Sequence, residues 1–234
     1  MTEYYRVELE RADGDERHTD VWRPGPHNYP HEHIHLLMTY EDVMRRLDHL
    51  PLDFLLILNN FVYLHGHRFM DELASAISFG SSLDLDRITH APHHKGLTID
   101  VDDLNAFLQS FDAENRFVMI NDDRIFWEYF LEQARVDAFY HKTSRRIGAS
   151  FFTDEASCTY FMNKYLSGKG HIHRVEILEQ EGMFVGDFRI VDSLNHKMLY
   201  RDFMGYLRRY WSGEKTEEPM MEVIFQGEYR LVAV

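Results

Sequence analysis

The chain contains one cysteine among its 234 residues, Cys158. A single cysteine excludes an internal disulfide and is typical of proteins from a reducing compartment, so we expect a cytoplasmic protein. Because Cys158 falls within a predicted helix, on a face of mixed polarity, we interpret it as a packed residue and not as a nucleophile. The chain also lacks a GxSxG motif, an HExxH motif and a glycine-rich phosphate loop, which are common signatures of hydrolases and nucleotide-binding proteins.

Basic residues are few as well. The chain has 25 Lys and Arg against 39 Asp and Glu, which gives a net charge of −14 at pH 7. Such a balance argues against a free-standing nucleic-acid binder that acts through a broad basic surface, although it leaves room for a local basic cleft or a basic partner.

Long apolar runs are missing too. The longest, from Phe54 to Leu64, is interrupted by Asn59 and Asn60 and is too short to span a bilayer. The first residues lack the charged-then-apolar pattern of a secretion signal. We therefore expect no membrane partner.

The chain has β-type patterns at both ends and helical patterns in the middle. Strands are predicted at Tyr4–Leu9, Ile147–Phe152, His171–Leu178 and Met183–Ile190, and in a final pair joined by a turn at Gln226-Gly227. Helices are predicted between Thr39 and Ala138, from Asp154 to Ser167 and from Met198 to Trp211, and Arg11–Pro30 is predicted to be a loop. The simplest arrangement is one α+β domain over residues 1–234, with an all-helical insertion at about 38–140.

Glu222 stands alone in the apolar, strand-like run from Met220 to Phe225. Side chains alternate along a strand, and here both faces carry apolar residues, which predicts a strand buried on both sides. A carboxylate in that position must be partnered, must point into a cleft or must take part in chemistry. The alternative is an edge strand from which Glu222 reaches water.

Histidines are concentrated in two places. They are His27, His31, His33 and His35, followed later by His90, His93 and His94. Neutral imidazole is a common zinc ligand, but the chain has no matching cysteines and the first group lies in a proline-rich segment. We interpret these segments as solvated loops and assign no metal ligands, with a His-rich metallohydrolase as an alternative.

A series of short motifs follows one order along the chain. They are Tyr4-Tyr5-Arg6-Val7, Glu128 and Glu132, Ser144-Arg145, Phe151-Phe152, Asp154-Glu155-Ala156, Tyr210-Trp211-Ser212-Gly213 and Glu222-Val223-Ile224-Phe225-Gln226-Gly227. Together they resemble the ADP-ribosyltransferase superfamily, and in particular a bacterial group within it. Separately, the segment from Gly148 to Ala156 is similar to the strand-to-helix segment of poly(ADP-ribose) polymerases. The resemblance covers residues 1–10 and about 120–234.

This resemblance implies a fold and a reaction. The fold is an ADP-ribosyltransferase-like split β-sheet core, here with the helical insertion. The reaction consumes NAD⁺ as a substrate: the nicotinamide–ribose bond is cleaved and one ADP-ribose is transferred to a macromolecular acceptor, a protein or a nucleic acid. The implied contexts are a toxin of a toxin–antitoxin pair or a phage-defence effector, with an antitoxin or regulatory protein as partner.

The resemblance also implies roles for individual residues. Glu222 and Arg6 are the implied catalytic residues. The implied NAD-binding residues are Tyr5, Arg6, Ser144, Arg145, Phe151, Phe152 and Tyr160. Arg6 would contact the adenosine ribose or a phosphate, since a guanidinium binds phosphate oxygens in pairs. From the residues alone, Arg6 could equally pair with Glu8 or Glu10, and at least one of the two adjacent phenylalanines is a core residue because they alternate faces.

The chain departs from the family pattern at two positions. Arg6 stands where a histidine is frequent, and Met220 stands where a Glu or Gln often helps to select a protein arginine as acceptor. Arginine-specific protein modification is therefore not favoured, and nucleic acid or another acceptor stays open. A non-catalytic binding module on the same fold is the second alternative.

Overall fold

The computed structural model describes residues 2–9, 13–19, 37–38, 41–42, 44–54, 82–84, 92–103 and 123–234. The strands are β1 (Tyr4–Glu8), β2 (Glu16–His18), β3 (Ser82–Asp84), β4 (Thr98–Asp100), β5 (Ala149–Phe152), β6 (His171–Asp187) and β7 (Met221–Ala233). The helices are α1 (Asp123–Ala138), α2 (Glu155–Tyr165), α3 (Phe188–Asp192) and α4 (Tyr200–Ser212), and a 3-10 turn spans Pro92–His94. The protein therefore mixes helices with sheet, which is compatible with the predicted α+β class.

The chain divides into two compact units. The first comprises Met1–His27, Phe130–Ser193 and Gly205–Val234, and the second comprises Asn28–Tyr129 and Leu194–Met204. Strands β3 and β4 pair as a two-stranded antiparallel sheet in the second unit. The described part of residues 38–140 therefore contains strands, whereas the sequence predicts helices alone. Each strand is only three residues long, too short for a period-two pattern to stand out in the sequence.

The sheet of the first unit closes on itself. Its order is β2-β7-β5-β1-β6, and β7 also pairs with β6, so the pairings β7–β5–β1–β6–β7 form a ring of antiparallel strands. One apolar cluster is built from Ala149, Phe151, Val175, Val223, Phe225, Tyr229 and Leu231. A second cluster contains Phe152, Cys158, Phe188 and Met220, with Tyr5, Val7, Tyr160, Phe161, Ile172 and Val191 against it. The alternating residues Phe151 and Phe152 thus pack into different clusters.

Strands β6 and β7 are both longer than the sequence predicts. β6 continues through the expected break after Leu178, and the residues from Phe188 onward form α3 and not the end of a strand. β7 continues through Gln226-Gly227, so the predicted closing turn is wrong.

Strand β7 continues where a turn was predicted because Gly227 lies at a β-bulge in its pairing with β6. The β6–β7 register shifts between Ile177 and Glu179 and again between Gln180 and Gly182, where Gly227 lies opposite. Gly227 has φ +135°, and a Cβ at that position would lie 2.1 Å from the Glu179 carbonyl oxygen. Glycine is required there for a close backbone approach within the ladder, and not for a chain reversal.

The helix boundaries follow their local signals. Asp154 caps α2 as predicted, since its carboxylate accepts hydrogen bonds from the Ser157 backbone N–H at 2.7 Å and the Ser157 hydroxyl at 2.9 Å. Helix α1 ends at Ala138, as predicted. None of the helices in the described ranges has the length and apolar character needed to cross a membrane.

Asp187 joins the end of β6 to the segment that leads into β7. Its buried carboxylate accepts hydrogen bonds from the backbone N–H groups of Arg189, Thr216 and Met220 at 2.7–3.0 Å and from the Thr216 hydroxyl at 2.7 Å. Burial by itself would raise the pKa of Asp187, but these hydrogen bonds outweigh burial and hold the pKa below its usual 3.8.

We expect Asp187→Asn to destabilise the protein in a pH-dependent way. The lowered pKa means that the carboxylate contributes stability above the unfolded-state pKa of about 3.9, and this contribution disappears as the pH falls through the folded-state value. At pH 7 the loss should be about 1.5–3 kcal/mol, the typical worth of a hydrogen bond to a charged group. Urea unfolding of both proteins between pH 7 and pH 3 measures the difference, which should shrink below pH 4. A difference that stays constant with pH would contradict this role.

Candidate functional site

Glu222 lies near the start of β7, between two neighbouring strands. It is paired with Phe152 of β5 on one side and with Gly186 of β6 on the other. The residue is 2% exposed, so the expectation of a buried carboxylate is met and the edge-strand alternative does not apply. A charge at this depth needs partners inside the protein.

Three side chains supply those partners. Glu222 Oε1 accepts a hydrogen bond from the Ser150 hydroxyl at 2.5 Å. Oε2 accepts one from the Arg145 guanidinium at 2.5 Å and one from the Tyr210 hydroxyl at 2.8 Å. The same Arg145 nitrogen donates to the Tyr210 oxygen at 2.9 Å, which closes a triangle around Oε2. We call Glu222, Arg145, Ser150 and Tyr210 the carboxylate cluster.

The Tyr210 hydroxyl keeps its proton and acts as a hydrogen-bond donor to Glu222 in this cluster. It is fully buried, and burial together with the neighbouring Glu222 charge raises its pKa well above the ordinary value of 10.0. The ring fits because the residue opposite Glu222 is a glycine: a Cβ on Gly186 would lie 2.6 Å from the Tyr210 ring. The last turn of α4 is in turn fixed by Trp211, whose indole N–H donates to the Leu131 carbonyl at 2.7 Å.

The cluster holds the negative charge of Glu222 in a fixed position beside the positive charge of Arg145. The side chains of Arg145 and Glu222 are only 9% and 3% exposed, so the ion pair lies in a poorly solvated environment where electrostatic interactions are strong. Ser150 and Arg145 are half-buried as whole residues, whereas Tyr210 and Glu222 are buried. Such an arrangement can stabilise positive charge that develops on a group next to the carboxylate.

One acceptor position of the Glu222 carboxylate has no donor among the described residues. Each carboxylate oxygen can accept about two hydrogen bonds. Among the described residues, Oε2 accepts two and Oε1 accepts one, from Ser150. A hydroxyl of a bound molecule could therefore donate to Oε1 beside Ser150.

The structure does not bring Arg6 to this cluster. Tyr5 is paired with Phe152, and Phe152 is paired with Glu222, so these three side chains share one face of the sheet. Arg6 follows Tyr5 and points to the opposite face. There it hydrogen-bonds to Glu8, and its guanidinium carbon lies 6.0 Å from the centre of the Phe151 ring. The sequence-based alternative of an Arg6–Glu8 pair is what the structure shows.

The remaining predicted NAD-binding residues are spread over several places. Phe151 and Phe152 are 0% and 4% exposed. Ser144 donates to Glu132 at 2.8 Å, and Tyr160 donates to Asp192 at 2.7 Å. Of this predicted set, Arg145 hydrogen-bonds to the Glu222 carboxylate, and Phe152 lies opposite Glu222 on β5.

A groove of about 980 Å³ is present elsewhere in the first unit. Its lining includes Tyr5, Asp154, Glu155 and Arg174, but none of the four members of the carboxylate cluster. Of the predicted site residues, therefore, only Tyr5 contributes to this groove. The groove and the buried carboxylate are separate features.

Cys158 is a core residue, in agreement with the sequence-based interpretation. It is 0% exposed, and burial, followed by the charges of Asp154 and Glu155, raises its pKa to about 12. A thiol with that pKa is not a nucleophile at neutral pH.

Two members of the cluster were not assigned from the sequence, Ser150 and Tyr210. Ser150 lies two residues before Phe152, so alternation puts both on one face, but only the β5–β7 register shows that Glu222 shares it. Tyr210 was noted only as part of the Tyr-Trp motif.

The fold and the cluster define a protein of helices and antiparallel sheet, with a buried, ion-paired carboxylate on a closed ring of strands. No protein-family model and no curated protein matches the chain.

Proposed function

We propose that the protein is an NAD⁺-dependent mono-ADP-ribosyltransferase with an ADP-ribosyltransferase-like core, in which Glu222 is the catalytic carboxylate. The observation that carries the proposal is a buried carboxylate fixed by Arg145, Tyr210 and Ser150, with one acceptor position on Oε1 that no described residue fills. The order of motifs that resembles this superfamily supports the same assignment.

In this reaction, the bond between the ribose C1′ and the nicotinamide nitrogen breaks, and nicotinamide leaves with the bonding electrons. Positive charge develops on the ribose ring, as in glycoside hydrolysis, and a hydrogen bond from the sugar 2-hydroxyl to a carboxylate strengthens at that stage. Glu222 accepts that bond at Oε1. An acceptor nucleophile then attacks C1′ and loses a proton, or water does so in a hydrolytic side reaction.

The surroundings of Glu222 limit how the ribose can approach. Among the described residues, Arg145 and Tyr210 both donate to Oε2, whereas Ser150 alone donates to Oε1. The 2-hydroxyl therefore approaches from the Ser150 side. Arg145 and Tyr210 hold the carboxylate in a fixed orientation, which lowers the reorganisation needed when charge develops.

The acceptor and the setting rest on the resemblance alone. We propose a macromolecular acceptor, either a protein or a nucleic acid, in the cytoplasm. Met220 lies two residues before Glu222, where arginine-modifying members often carry Glu or Gln, so an acceptor other than protein arginine is favoured. The proposed context is a toxin or phage-defence effector, with an antitoxin or regulatory protein as partner.

The second candidate is a non-catalytic binding module on the same fold. The low exposure of Glu222, 2%, favours it, because a carboxylate with three protein donors can serve structure alone. Arg6 also lies on the opposite face from Glu222, away from the place that a shared NAD⁺ site requires.

Incubation with NAD⁺ labelled in the adenylate part separates the two candidates. The transferase should release nicotinamide and transfer label to material in a bacterial lysate, at a rate proportional to protein concentration. Protease or nuclease treatment of the labelled product then reports the class of acceptor. Protein that has been heat-denatured is the control. Absence of transfer, of nicotinamide release and of a thermal shift with NAD⁺ would support the binding module instead.

A further inference from the structure

A cluster of potential metal ligands lies in the second compact unit, apart from the residues assigned to NAD⁺ chemistry. It consists of Asp53, His93 and His94, and one ligand atom from each lies within 4.8 Å of the other two. The pair His93-His94 belongs to the later of the two histidine groups in the sequence. The earlier group, from His27 to His35, lies outside the described residues.

The three side chains converge on one point. The Asp53 carboxylate contacts both imidazoles: Oδ1 lies 2.7 Å from His94 Nε2, and Oδ2 contacts His93 Nε2. His94 is completely buried, the Asp53 side chain is 15% exposed and the His93 side chain is 30% exposed. The cluster is therefore closed on the His94 side and open to solvent on the His93 side.

The backbone around the cluster is held in place. Pro92–His94 form a 3-10 turn, and the Leu97 N–H donates to the His94 carbonyl at 3.0 Å. The Asp53 N–H donates to the His196 carbonyl at 2.8 Å. The Phe54 ring meets the His94 ring edge-on, with 6.1 Å between centres. A ligand set carried on fixed backbone keeps its geometry with little cost in conformational entropy.

We propose that Asp53, His93 and His94 bind one divalent transition-metal ion, with zinc as the probe. Two imidazole nitrogens and a carboxylate oxygen form a donor set that suits zinc and ferrous iron. Ligand atoms at about 2.0–2.2 Å from a tetrahedral ion lie roughly 3.3 Å from one another, so side-chain shifts of about 1 Å convert the present contacts into a coordination sphere. Three protein ligands leave a further position for water or an exogenous ligand.

A hydrogen-bonded triad without an ion would use the same three residues. In that state each imidazole donates its Nε2 proton to Asp53, whereas a metal ion replaces both protons at those nitrogens. The two states differ in the amount of zinc that the protein retains and in which substitutions remove it. Zinc binding is therefore the property to measure.

The experiment uses the full chain after removal of metal with a chelator. Zinc is titrated and bound metal is counted by elemental analysis after dialysis, for the wild type, Asp53→Asn, His93→Asn and His49→Asn. His49 is an exposed histidine of the same unit and is the matched control. His93→Asn is preferred to a change at His94, because the partly exposed His93 side chain can be replaced without opening a buried cavity. Circular dichroism checks that each variant is folded.

We expect the wild type and His49→Asn to bind one more zinc per chain than Asp53→Asn and His93→Asn. The affinity of this site should fall by more than the roughly 10–100-fold that loss of an outer-shell partner costs, because a ligand itself is lost. Equal zinc content in folded His93→Asn and His49→Asn, or no zinc bound by the wild type, would overturn the proposal.

Discussion

Glu222→Gln should lower the rate of NAD⁺ cleavage by roughly 10²–10³-fold, the usual effect of removing one preorganised electrostatic group from an active site. Glutamine has nearly the same shape and still accepts a hydrogen bond from Ser150. What it lacks is the negative charge that, in the proposed mechanism, stabilises the developing oxocarbenium ion. Nicotinamide release under single-turnover conditions measures the step directly, without dependence on the acceptor.

The control must separate chemistry from folding, because Glu222→Gln also leaves Arg145 without its counter-charge. Asp187→Asn is a suitable match: it removes another buried carboxylate from the same unit, one that is not part of the carboxylate cluster. Both variants should lose stability, but only Glu222→Gln should lose activity per folded molecule. Cleavage by folded Glu222→Gln at the wild-type rate would remove Glu222 from the mechanism and favour the binding-module candidate.

Features that depend on neighbours in sequence were predicted well. The Asp154 cap of α2 and the end of α1 at Ala138 are set by local hydrogen-bonding side chains and by helical periodicity. The burial of Glu222 was also predictable, because apolar residues flank it on both strand faces. Each of these features needs only a few consecutive residues to specify it.

Features that depend on strand register were not accessible from the sequence. Gly227 was interpreted as a turn residue because its freedom to adopt positive φ is shared by turns and bulges. The distinction comes from the opposing strand: the Glu179 carbonyl lies where a Cβ would be. The long pairing with the opposite strand keeps both β6 and β7 extended at residues whose local sequence predicts that the strand ends.

The same limit applies to the candidate site. Alternation alone puts Tyr5 and Arg6 on opposite faces of β1, but it cannot say which of them shares a face with Glu222. The pairing of Tyr5 with Phe152 and of Phe152 with Glu222 decides it, and Arg6 falls on the other side. The resemblance expected both residues in one NAD⁺ site. If the proposed chemistry is correct, it depends on Arg145 more than on Arg6.

The metal-ligand cluster was hidden for a related reason. Asp53 lies 40 positions before His93, a separation at which no spacing rule connects a carboxylate with two adjacent histidines. The histidines were visible in the sequence, but without a third ligand they indicated only a polar loop. The backbone hydrogen bond from Asp53 to His196, a residue far along the chain, helps to hold the Asp53 carboxylate within reach of the two histidines.

Arg145→Met should destabilise the first unit by about 3–5 kcal/mol, since it leaves the Glu222 carboxylate buried without its cation. Arg146→Met is the matched control, because Arg146 is the next residue and is exposed, so its replacement should cost clearly less than that of Arg145. Urea unfolding followed by tryptophan fluorescence measures both, with the buried Trp211 beside the cluster as a reporter. Equal costs for the two substitutions would show that the ion pair does not stabilise the fold.

The double variant Arg145→Met with Glu222→Gln tests whether the two charges act as a pair. Each single substitution leaves one buried charge without its partner, whereas the double variant removes both charges. The destabilisation of the double variant should therefore be smaller than the sum of the two single effects. A coupling of about 1–3 kcal/mol is expected for groups in direct contact. Additive effects would mean that Tyr210 and Ser150 alone satisfy the carboxylate.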